Sequence, residues 1–309
     1  MNDEPLEVVD AADAAEPLAL LDAAEATHPV PLVDETERER LEALAVGAIE
    51  RTPRWRSLLA RRGDRPVGYA SLVLPDQPQD EAVGDLAVPR EHREDGAVLA
   101  ALLGRQRHLL VDPGVHATVW LRDAGDADIE VATSHGGHVR RRLGVLGRAL
   151  ETVPDVPDTP AIRTYRGPDD DAAVVGVLDA AYAGTDDGGW DLARFEDRRS
   201  TDWFDPADLL LAVAPDGDVL GLHWLKRRDA TTGEVYNLAV HPRAQGHGAG
   251  PALLAAGLAH LQAIGCTEVL LWVDLANERA VRLYRSQGFE TRWVDVALEV
   301  PPVGEAAVA

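Results

Sequence analysis

A glycine-rich turn, Gln245-Gly246-His247-Gly248-Ala249-Gly250, is the segment of this sequence best suited to bind a charged ligand. It follows a predicted strand and opens a predicted helix with Pro251 in its first turn. Backbone N–H groups at such a helix start point to one spot, where the helix dipole adds about half a positive charge. The turn therefore suits an anionic diphosphate, although alone it would also fit an ordinary tight turn. It matches neither the Walker pattern nor G-x-G-x-x-G.

A single lysine is also a candidate for binding a polar substrate. Arginine supplies 29 of the 30 basic residues, and Lys226 is the only lysine of the chain. The abundance of Ala, Arg, Asp and Gly is typical of a GC-rich genome, which tends to convert lysine codons to arginine codons. A lysine that persists under this bias is a candidate for a role that depends on its own geometry.

Predicted strands and helices alternate around these residues. Residues 234–240 alternate in polarity as a strand, and the helix after the turn has leucines at i, i+4 and i+7 that give it one buried face. Residues 267–274 are almost continuously apolar, as expected of a central strand. The pattern then predicts a helix over 277–287 and a last strand over 289–298.

The same order of signals occurs twice in the chain at a constant offset. Asp85-Leu86-Ala87-Val88 matches Asn237-Leu238-Ala239-Val240, and Trp120 matches Trp272, in both cases 152 residues apart. A constant offset over so long a stretch is hard to obtain by chance. It predicts two copies of one α/β domain in tandem.

Length and composition agree with two domains joined by a linker. The chain has 309 residues, which is two domains at roughly 150 residues each. Residues 152–161 contain three prolines and no periodicity, so they are predicted to be the linker. We expect an N-terminal domain over 1–151 and a C-terminal domain over 162–309. Each is expected to have the α/β (α+β) architecture of a mixed central sheet flanked by helices.

Composition excludes several classes of function. The 53 acidic and 30 basic residues give a net charge of −23, which would repel a nucleic-acid backbone. No apolar run approaches the roughly 18 residues that span a bilayer, and the acidic N-terminus has no secretion signal.

The lone Cys266 fits a reducing cytoplasm and is expected to be a buried apolar residue. The histidines lack metal-ligand spacing, so we expect no metal. We also expect a cytoplasmic monomer in which the charged stretch 34–41 is a solvated helix face.

Two blocks, 234–250 and 277–289, resemble the GCN5-related N-acetyltransferase superfamily. They match its [QR]-x-x-G-x-[GA] loop and its Asn…Tyr…Gly-Phe helix. The resemblance implies an acetyl-CoA site in which a strand edge pairs with the pantetheine arm, the turn holds the pyrophosphate and the helix borders the cofactor. The residues that it implies for this cofactor are Leu238, Ala239, Val240, Gln245, Gly246, His247, Gly248, Ala249, Gly250, Pro251, Asn277, Glu278, Arg279, Ala280, Val281 and Arg282.

The resemblance gives a catalytic role to Tyr284, and the helix spacing supports it. Asn277, Val281 and Tyr284 lie at i, i+4 and i+7 and share one helix face, so Tyr284 would face the cofactor sulfur. A tyrosine pKa near ~10 against a thiol near ~8.5 makes full proton transfer uphill by roughly 2 kcal/mol. Tyr284 is therefore expected to act mainly by hydrogen bonding to the departing thiolate.

The longer context is similar to the mycothiol synthase family. The tandem repeat carries this resemblance together with Trp203-Phe204-Asp205-Pro206, Leu222-His223-Trp224-Leu225-Lys226 and Gly233-Glu234-Val235-Tyr236. It implies acetyl transfer from acetyl-CoA to the cysteinyl amine of cysteinyl-glucosaminyl-inositol, the last step of mycothiol biosynthesis. Glu234 would bind the substrate and serve as the base. The implied substrate-binding residues are Glu35, Asp186, Lys226, Glu234 and Trp272.

Two positions depart from the family pattern. Trp272 stands where the family usually has tyrosine, so the position keeps a hydrogen-bond donor but loses an acceptor. Asp186 stands where the family usually has glutamate and is one methylene shorter. Two alternatives stay open, the first motivated by Trp272 and Asp274 and the second by the eroded site of the first repeat. The chain could be a GCN5-like acetyltransferase of another small amine, such as a polyamine or an aminoglycoside, or a non-catalytic acyl-CoA-binding regulator.

The first repeat lacks the functional residues of the second. At the 152-residue offset, Glu234 corresponds to Ala82 and Tyr284 to Ala132, and residues 94–95 place two carboxylates inside the turn. Each carboxylate beside a diphosphate costs on the order of 1 kcal/mol in water. We expect the first repeat to be catalytically inactive and to bind acetyl-CoA weakly or not at all.

Overall fold

The computed structural model describes residues 4–28, 30–77, 80–94, 96–112, 114–185 and 187–304. The chain divides into two compact units. The first unit comprises residues 1–144 together with 293–309, and the second comprises residues 145–292. The last strand of each sequence repeat therefore begins in one unit and ends in the other.

The two repeats have the same order of strands and helices. The first repeat contains β1 (Leu6–Asp10), α1 (Ala15–Thr27), α2 (Glu35–Ala45), β2 (Trp55–Arg62), β3 (Arg65–Val73), β4 (Ala82–Ala87), α3 (Ala97–Leu109), β5 (Ala117–Leu121), α4 (Asp126–Ser134) and β6 (His138–Ala149). The second contains β7 (Ala161–Thr164), α5 (Asp171–Tyr182), α6 (Leu192–Arg199), β8 (Leu209–Val213), β9 (Val219–Arg227), β10 (Thr232–Val240), α7 (Ala249–Ala263), β11 (Glu268–Asp274), α8 (Glu278–Ser286) and β12 (Glu290–Val300).

Each unit is built on a mixed sheet with helices on both faces. The strand order is β1-β2-β3-β4-β5-β12 in the first unit and β7-β8-β9-β10-β11-β6 in the second. The central pairs β4–β5 and β10–β11 are parallel, whereas β8–β9 and β9–β10 are antiparallel. In the second unit, α7 and α8 pack on one face of the sheet, and α5 and α6 cover the other. The predicted fold class is confirmed.

The predicted repeat is also present in the secondary structure. The first residues of α4 and α8, Asp126 and Glu278, are 152 residues apart, as are the first residues of α3 and α7. The strand predicted over 234–240 begins two residues earlier, and the strand predicted over 267–274 begins one residue later. Local periodicity was therefore sufficient to locate these elements to within about two residues.

The last strand of each repeat completes the core of the other unit. Leu298 of β12 is fully buried in the first unit and is the register partner of Val119 on β5. Leu146 of β6 is buried in the second unit, in the same cluster as Leu271 of β11. The domain boundary predicted at the linker separates the two sequence repeats. The compact units are divided at other positions, because the chain passes from one unit to the other between residues 144 and 145 and again between residues 292 and 293.

A buried polar network in the first unit contradicts one expectation from the sequence. The charged stretch 34–41 is predicted to be a solvated helix face, but Glu37 within it is only 2% exposed. Its carboxylate accepts hydrogen bonds from the Tyr69 hydroxyl at 2.5 Å and from the Trp55 indole at 3.0 Å. Donors on β2 and β3 therefore replace the water that this helical glutamate would otherwise bind.

We expect Leu298→Ala to destabilise the first unit and the repeat-equivalent Leu146→Ala to destabilise the second. Each change removes a buried side chain and should lower the free energy of unfolding of its unit by about 2–5 kcal/mol. Hydrogen exchange with mass spectrometry should show lost protection in α3 and β5 for L298A and in α7 and β11 for L146A. Loosening of the second unit alone by L298A would contradict the strand exchange.

Asp85, which is buried on β4, should make the stability of the first unit depend on pH. Burial raises the pKa of Asp85 from 3.8 to about 7, helped by the charges of Asp34 and Glu37 and opposed by Arg122. Between about pH 4 and 7 the folded protein thus binds more protons than the unfolded chain, and stability falls as the pH rises. Asp85→Asn, which reproduces Asn237 of the second repeat, should flatten that part of the curve.

Thermal unfolding of the full chain between pH 4 and 8 tests the effect of this substitution. Because burial also raises the pKa of Glu37, some pH dependence should persist in the variant. A slope identical to that of the unsubstituted protein would show that Asp85 does not titrate in this range.

Candidate active site

The two central strands of the second unit separate part of the way along their length. Parallel pairing between β10 and β11 runs from Thr232–Glu268 to Val235–Leu271 and ends there. Both strands continue beyond this point, β10 to Val240 and β11 to Asp274. A cleft therefore opens between them within the sheet.

The strand edge beside this cleft carries the main-chain groups predicted to bind pantetheine. Leu238, Ala239 and Val240 lie beyond the last β10–β11 pair, and their other edge is paired with β9. A register shift at Tyr236 inserts one extra residue into β10 at the point of separation. Such bulges bend a strand and are common beside active sites. The cleft edge can thus accept an extended ligand as an additional strand.

The equivalent strands of the first unit do not separate in this way. Pairing between β4 and β5 continues from Ala82–Ala117 to Leu86–Leu121, and the β3–β4 register has no shift. Leu86 is the repeat equivalent of Leu238. The edge that is open in the second unit is therefore covered by β5 in the first.

The glycine-rich turn has the geometry of an anion-binding loop. Gly246 and Gly248 adopt φ values of +84° and +87°, and a Cβ atom on either would meet no atom within 4 Å. Gly248 is the N-cap of α7 and provides no side-chain cap. Over the described part of the chain, the N–H groups of residues 246–250 have no hydrogen-bond acceptor. Several donors and open space thus meet at one helix start, which fits a diphosphate.

Gln245 connects the turn to the neighbouring strand and helix. Its Nε2 donates to the main-chain oxygen of Val240 at 3.2 Å, and its Oε1 accepts a hydrogen bond from Arg279 of α8. Asn277, which was expected at the helix start, is the N-cap of α8 and accepts from the N–H of Ala280 at 3.1 Å. These contacts fix the turn relative to the strand edge.

The remaining cofactor residues implied by the resemblance lie around the same turn. His247 is exposed and contacts the main-chain oxygen of Gln245 at 3.0 Å, and Pro251 is exposed in the first turn of α7. Glu278 and Arg282 form an exposed ion pair at 2.9 Å on α8. The apolar members of the set, Ala249 and Val281, are buried in the core of the unit.

In the first unit, side chains fill the corresponding loop. Arg93, the equivalent of Gln245, donates to the main-chain oxygens of Val88, Asp123 and Arg122 at 2.7, 2.6 and 3.1 Å. A Cβ atom on Gly96 would lie 2.5 Å from a methyl carbon of Val131. The first loop is thus packed by its own chain, in line with the expectation that its ligand site has been lost.

Glu234 and Lys226 face each other across two strands near the point where the sheet opens. They are register partners on β10 and β9, and each is 8% exposed. The Lys226 ammonium lies 5.0 Å from the ring centre of Trp203, a distance suited to a cation–π contact. The structure therefore brings together the predicted base and the solitary lysine.

Arg228, which the sequence analysis did not single out, connects Glu234 to Trp272. Its guanidinium donates to Glu234 Oε2 at 2.7 Å and lies 5.2 Å from the ring centre of Trp272. Arginine at this position gave no sequence signal, because arginine is the common basic residue of the chain. The predicted substrate residue Trp272 thus contacts the guanidinium that holds the predicted base.

Tyr284 is buried at the inner face of α8. It is 7% exposed and packs edge-to-face against Phe289, with ring centres 5.6 Å apart. Burial raises the pKa of Tyr284 well above its usual value, and the nearby charge of Tyr182 raises it further. Tyr284 is therefore a neutral hydrogen-bond donor at ordinary pH.

Two further tyrosines, to which the sequence analysis gave no role, lie in the second unit beside these residues. Tyr236 occupies the bulge of β10 and packs against Trp203, with ring centres 4.8 Å apart. Tyr182 ends α5, and its pKa is raised by burial and by the charges of Asp187 and Tyr236. The strand alternation from Glu234 could have indicated Tyr236, whereas nothing in the local pattern marked Tyr182.

Two other residues predicted to bind the substrate, Glu35 and Asp186, gain no support from the structure. Glu35 is exposed at the start of α2 in the first unit, and its predicted substrate contact stays a prediction. Asp186 lies outside the described residues.

Cys266 is 3% exposed in the core, which confirms that it is a buried apolar residue. In the described ranges, no group of three or more His, Cys, Asp or Glu side chains could hold a metal. Nor does any helix there have the length and apolar character to cross a bilayer.

Known sequences identify the family to which this chain is similar. The acetyltransferase (GNAT) family matches residues 178–289, which include the cleft, the turn and α8. The mycothiol acetyltransferase of Mycolicibacterium smegmatis is 39% identical over 251 residues, covering 79% of this chain and 83% of the relative. That of Nocardia farcinica is 39% identical over 253 residues, covering 78% and 82%.

Solved structures agree on the fold. A GCN5-related N-acetyltransferase from Sphaerobacter thermophilus has a TM-score of 0.68 at 21% identity and covers 98% of both chains. A tandem GNAT protein from the clavulanic acid biosynthesis pathway has a TM-score of 0.64 at 22% identity, covering 96% of this chain and 99% of that one. The family match and the sequence relatives show an acetyl-CoA-dependent N-acetyltransferase. The chain belongs to the mycothiol acetyltransferase family of tandem GCN5-related enzymes.

We expect Gly248→Ala to weaken acetyl-CoA binding without unfolding the protein. The new methyl group would enter open space above the turn, and a non-glycine residue at this positive φ is strained by roughly 1 kcal/mol. Isothermal titration of the full chain should show roughly tenfold weaker binding, the equivalent of ~1.4 kcal/mol.

Gly96→Ala provides the matched control in the first unit. It introduces a methyl group at another positive φ, where it would clash with Val131. We expect this variant to lose stability but to keep its affinity for acetyl-CoA. Equal loss of affinity in both variants would contradict the assignment of the turn in the second unit.

Proposed function

We propose that the second unit transfers an acetyl group from acetyl-CoA to the cysteinyl amine of cysteinyl-glucosaminyl-inositol, the final step of mycothiol biosynthesis. The observation that carries this proposal is the 39% identity, over 79% of the chain, to a relative named mycothiol acetyltransferase. The buried Glu234 carboxylate near the open strand edge supports it, because a carboxylate can accept a hydrogen bond from the substrate amine. Location in the cytoplasm and a monomeric state remain predictions from the sequence.

The cofactor assignment rests on the cleft and the turn. Main-chain groups of residues 238–240 would bind the pantetheine arm, and the N–H groups of residues 246–250 would bind the pyrophosphate. Gln245, Asn277 and Arg279 would hold the turn and the helix in place rather than bind through free side chains. Acetyl-CoA supplies the acetyl group as a thioester.

The roles of Glu234 and Tyr284 follow from their surroundings. Glu234 would accept a hydrogen bond and then a proton from the attacking amine. Since a glutamate carboxylate is ordinarily a weaker base than an amine, we expect it to pass this proton on to water. Tyr284 would donate a hydrogen bond to the departing sulfur and would not ionise, because burial raises its pKa.

The first unit would have no catalytic role. Ala82 and Ala132 replace the base and the phenol, and β5 covers the strand edge that is open in the second unit. We therefore propose that all turnover arises in the second unit.

We expect Glu234→Gln to lower kcat by about 10²- to 10⁴-fold, the usual contribution of a general base. Tyr284→Phe should lower kcat by roughly tenfold or more through loss of a hydrogen bond to the leaving group. Both variants should still bind acetyl-CoA in a titration of the full chain. Glu268→Gln on the adjacent strand β11 serves as the control and should retain activity. Unchanged turnover in both active-site variants would exclude the mechanism.

A comparison of substrates separates the remaining alternatives. Acetylation of cysteinyl-glucosaminyl-inositol is measured against polyamines and aminoglycosides at equal concentration. Preference for one of the other amines would support a GCN5-like enzyme with a different substrate, in keeping with the change at Trp272. Binding of acetyl-CoA without acetylation of any amine would instead support the regulator.

A further inference from the structure

The Glu234 carboxylate is held by only one of its two oxygens. Oε2 accepts a hydrogen bond from Arg228 at 2.7 Å. Within the described ranges, Oε1 has no hydrogen-bond partner from the protein. The carboxylate side chain is 11% exposed, so Oε1 is enclosed but reachable. One oxygen is therefore bound by the protein and the other is left for a ligand.

Arg228 is itself held in a defined position. It follows β9 directly, and its N–H donates to the main-chain oxygen of Thr232 at 3.0 Å, which closes the turn into β10. Its guanidinium lies 5.2 Å from the ring centre of Trp272 on β11. A planar guanidinium stacks on an aromatic ring while its edge donates hydrogen bonds, which an ammonium group cannot do equally well. The three strands β9, β10 and β11 are thus connected through one side chain.

This connection lies where β10 and β11 begin to separate. Glu234 is one residue before the last paired position of β10, and Trp272 is the first residue of β11 beyond it. Without Arg228, the carboxylate could rotate toward Lys226, its register partner on β9. A hydrogen bond to a charged partner restricts such rotation and keeps one oxygen directed away from the arginine.

We propose that Arg228 is a positioning residue for acetyl transfer: stacked on Trp272, it fixes Glu234 so that the second carboxylate oxygen faces the substrate amine. Trp272 then acts through its ring, by supporting Arg228, and not through its indole N–H. This inference rests on the proposed function for the identity of the amine, but it requires only that Glu234 accepts a proton from an amine substrate.

Steady-state kinetics of the full chain tests this role with Arg228→Ala and Arg228→Lys. Misplacement of a catalytic group slows the chemical step, so R228A should lower kcat by roughly tenfold to a hundredfold. The KM for acetyl-CoA should change less than about twofold, because the turn and α8 are untouched. R228K should retain part of the lost activity. Arg227→Ala, an exposed neighbour, is the matched control and should behave as the unsubstituted protein.

Chemical rescue distinguishes positioning from a general structural role. Millimolar guanidinium should restore part of the kcat of R228A, because the ion can occupy the space between Glu234 and the Trp272 ring. It should not stimulate the unsubstituted protein or R227A. Absence of rescue, combined with an R228K variant as impaired as R228A, would overturn the proposal.

The role of Trp272 is tested by comparing two substitutions. Trp272→Phe keeps a ring under the guanidinium and should retain most activity, whereas Trp272→Ala should lose it. W272A should add little to R228A in a double-mutant cycle, because both remove one interaction. A phenylalanine variant as impaired as the alanine variant would instead assign the role to the indole N–H.

These outcomes are distinct from failure of the proposed function. If the unsubstituted protein acetylates none of the amines, the function fails before the variants are compared. If it acetylates any amine and R228A retains its full kcat, the positioning role is wrong while the function stands. Titration with acetyl-CoA confirms that each variant is folded at the cofactor site.

Discussion

The separation of β10 from β11 after Val235 is the constraint on which the active site depends. A strand edge with unpaired N–H and C=O groups is unfavourable when it is shielded from both water and a partner. The bulge at Tyr236 bends β10 away, and the paired β9 keeps the strand in place from its other side. The structure thus maintains an edge that an extended amide-containing ligand can complete. The turn and the Glu234 carboxylate are both arranged around that edge.

The two repeats show how the same fold keeps or loses this arrangement. In the first repeat β4 and β5 stay paired, Arg93 bonds three carbonyl oxygens, and Val131 covers Gly96. Each of these contacts uses groups that would otherwise bind a ligand. At this strand edge and loop, the first repeat therefore pairs backbone groups whose equivalents in the second repeat have no partner among the described residues. Unpaired donors in the turn and an open strand edge thus distinguish the second unit from the first.

Sequence patterns predicted the elements well because periodicity and glycine turns are local signals. The 152-residue offset located both copies, and the glycine-rich turn could be located before a helix, whereas acetyl-CoA binding there was implied only by the family resemblance. Exchange of β6 and β12 could not be predicted, since Leu146 and Leu298 have the same apolar pattern whichever core they enter. Glu37 was misassigned because a charged helix does not reveal which of its residues meets buried donors. Arg228 was missed for a related reason: its role depends on two other strands.

The acidic surface explains why the cofactor is expected to be bound mainly by backbone groups. With a net charge of −23, the protein repels an anionic ligand at long range, although salt screens this repulsion beyond about 8 Å. The basic side chains near the turn are already engaged, Arg279 with Gln245 and Arg282 with Glu278. The N–H groups of residues 246–250 would act on a bound anion at hydrogen-bond distance, where the net charge of the protein matters least. A cationic amine would experience the opposite field, which would draw it toward the protein.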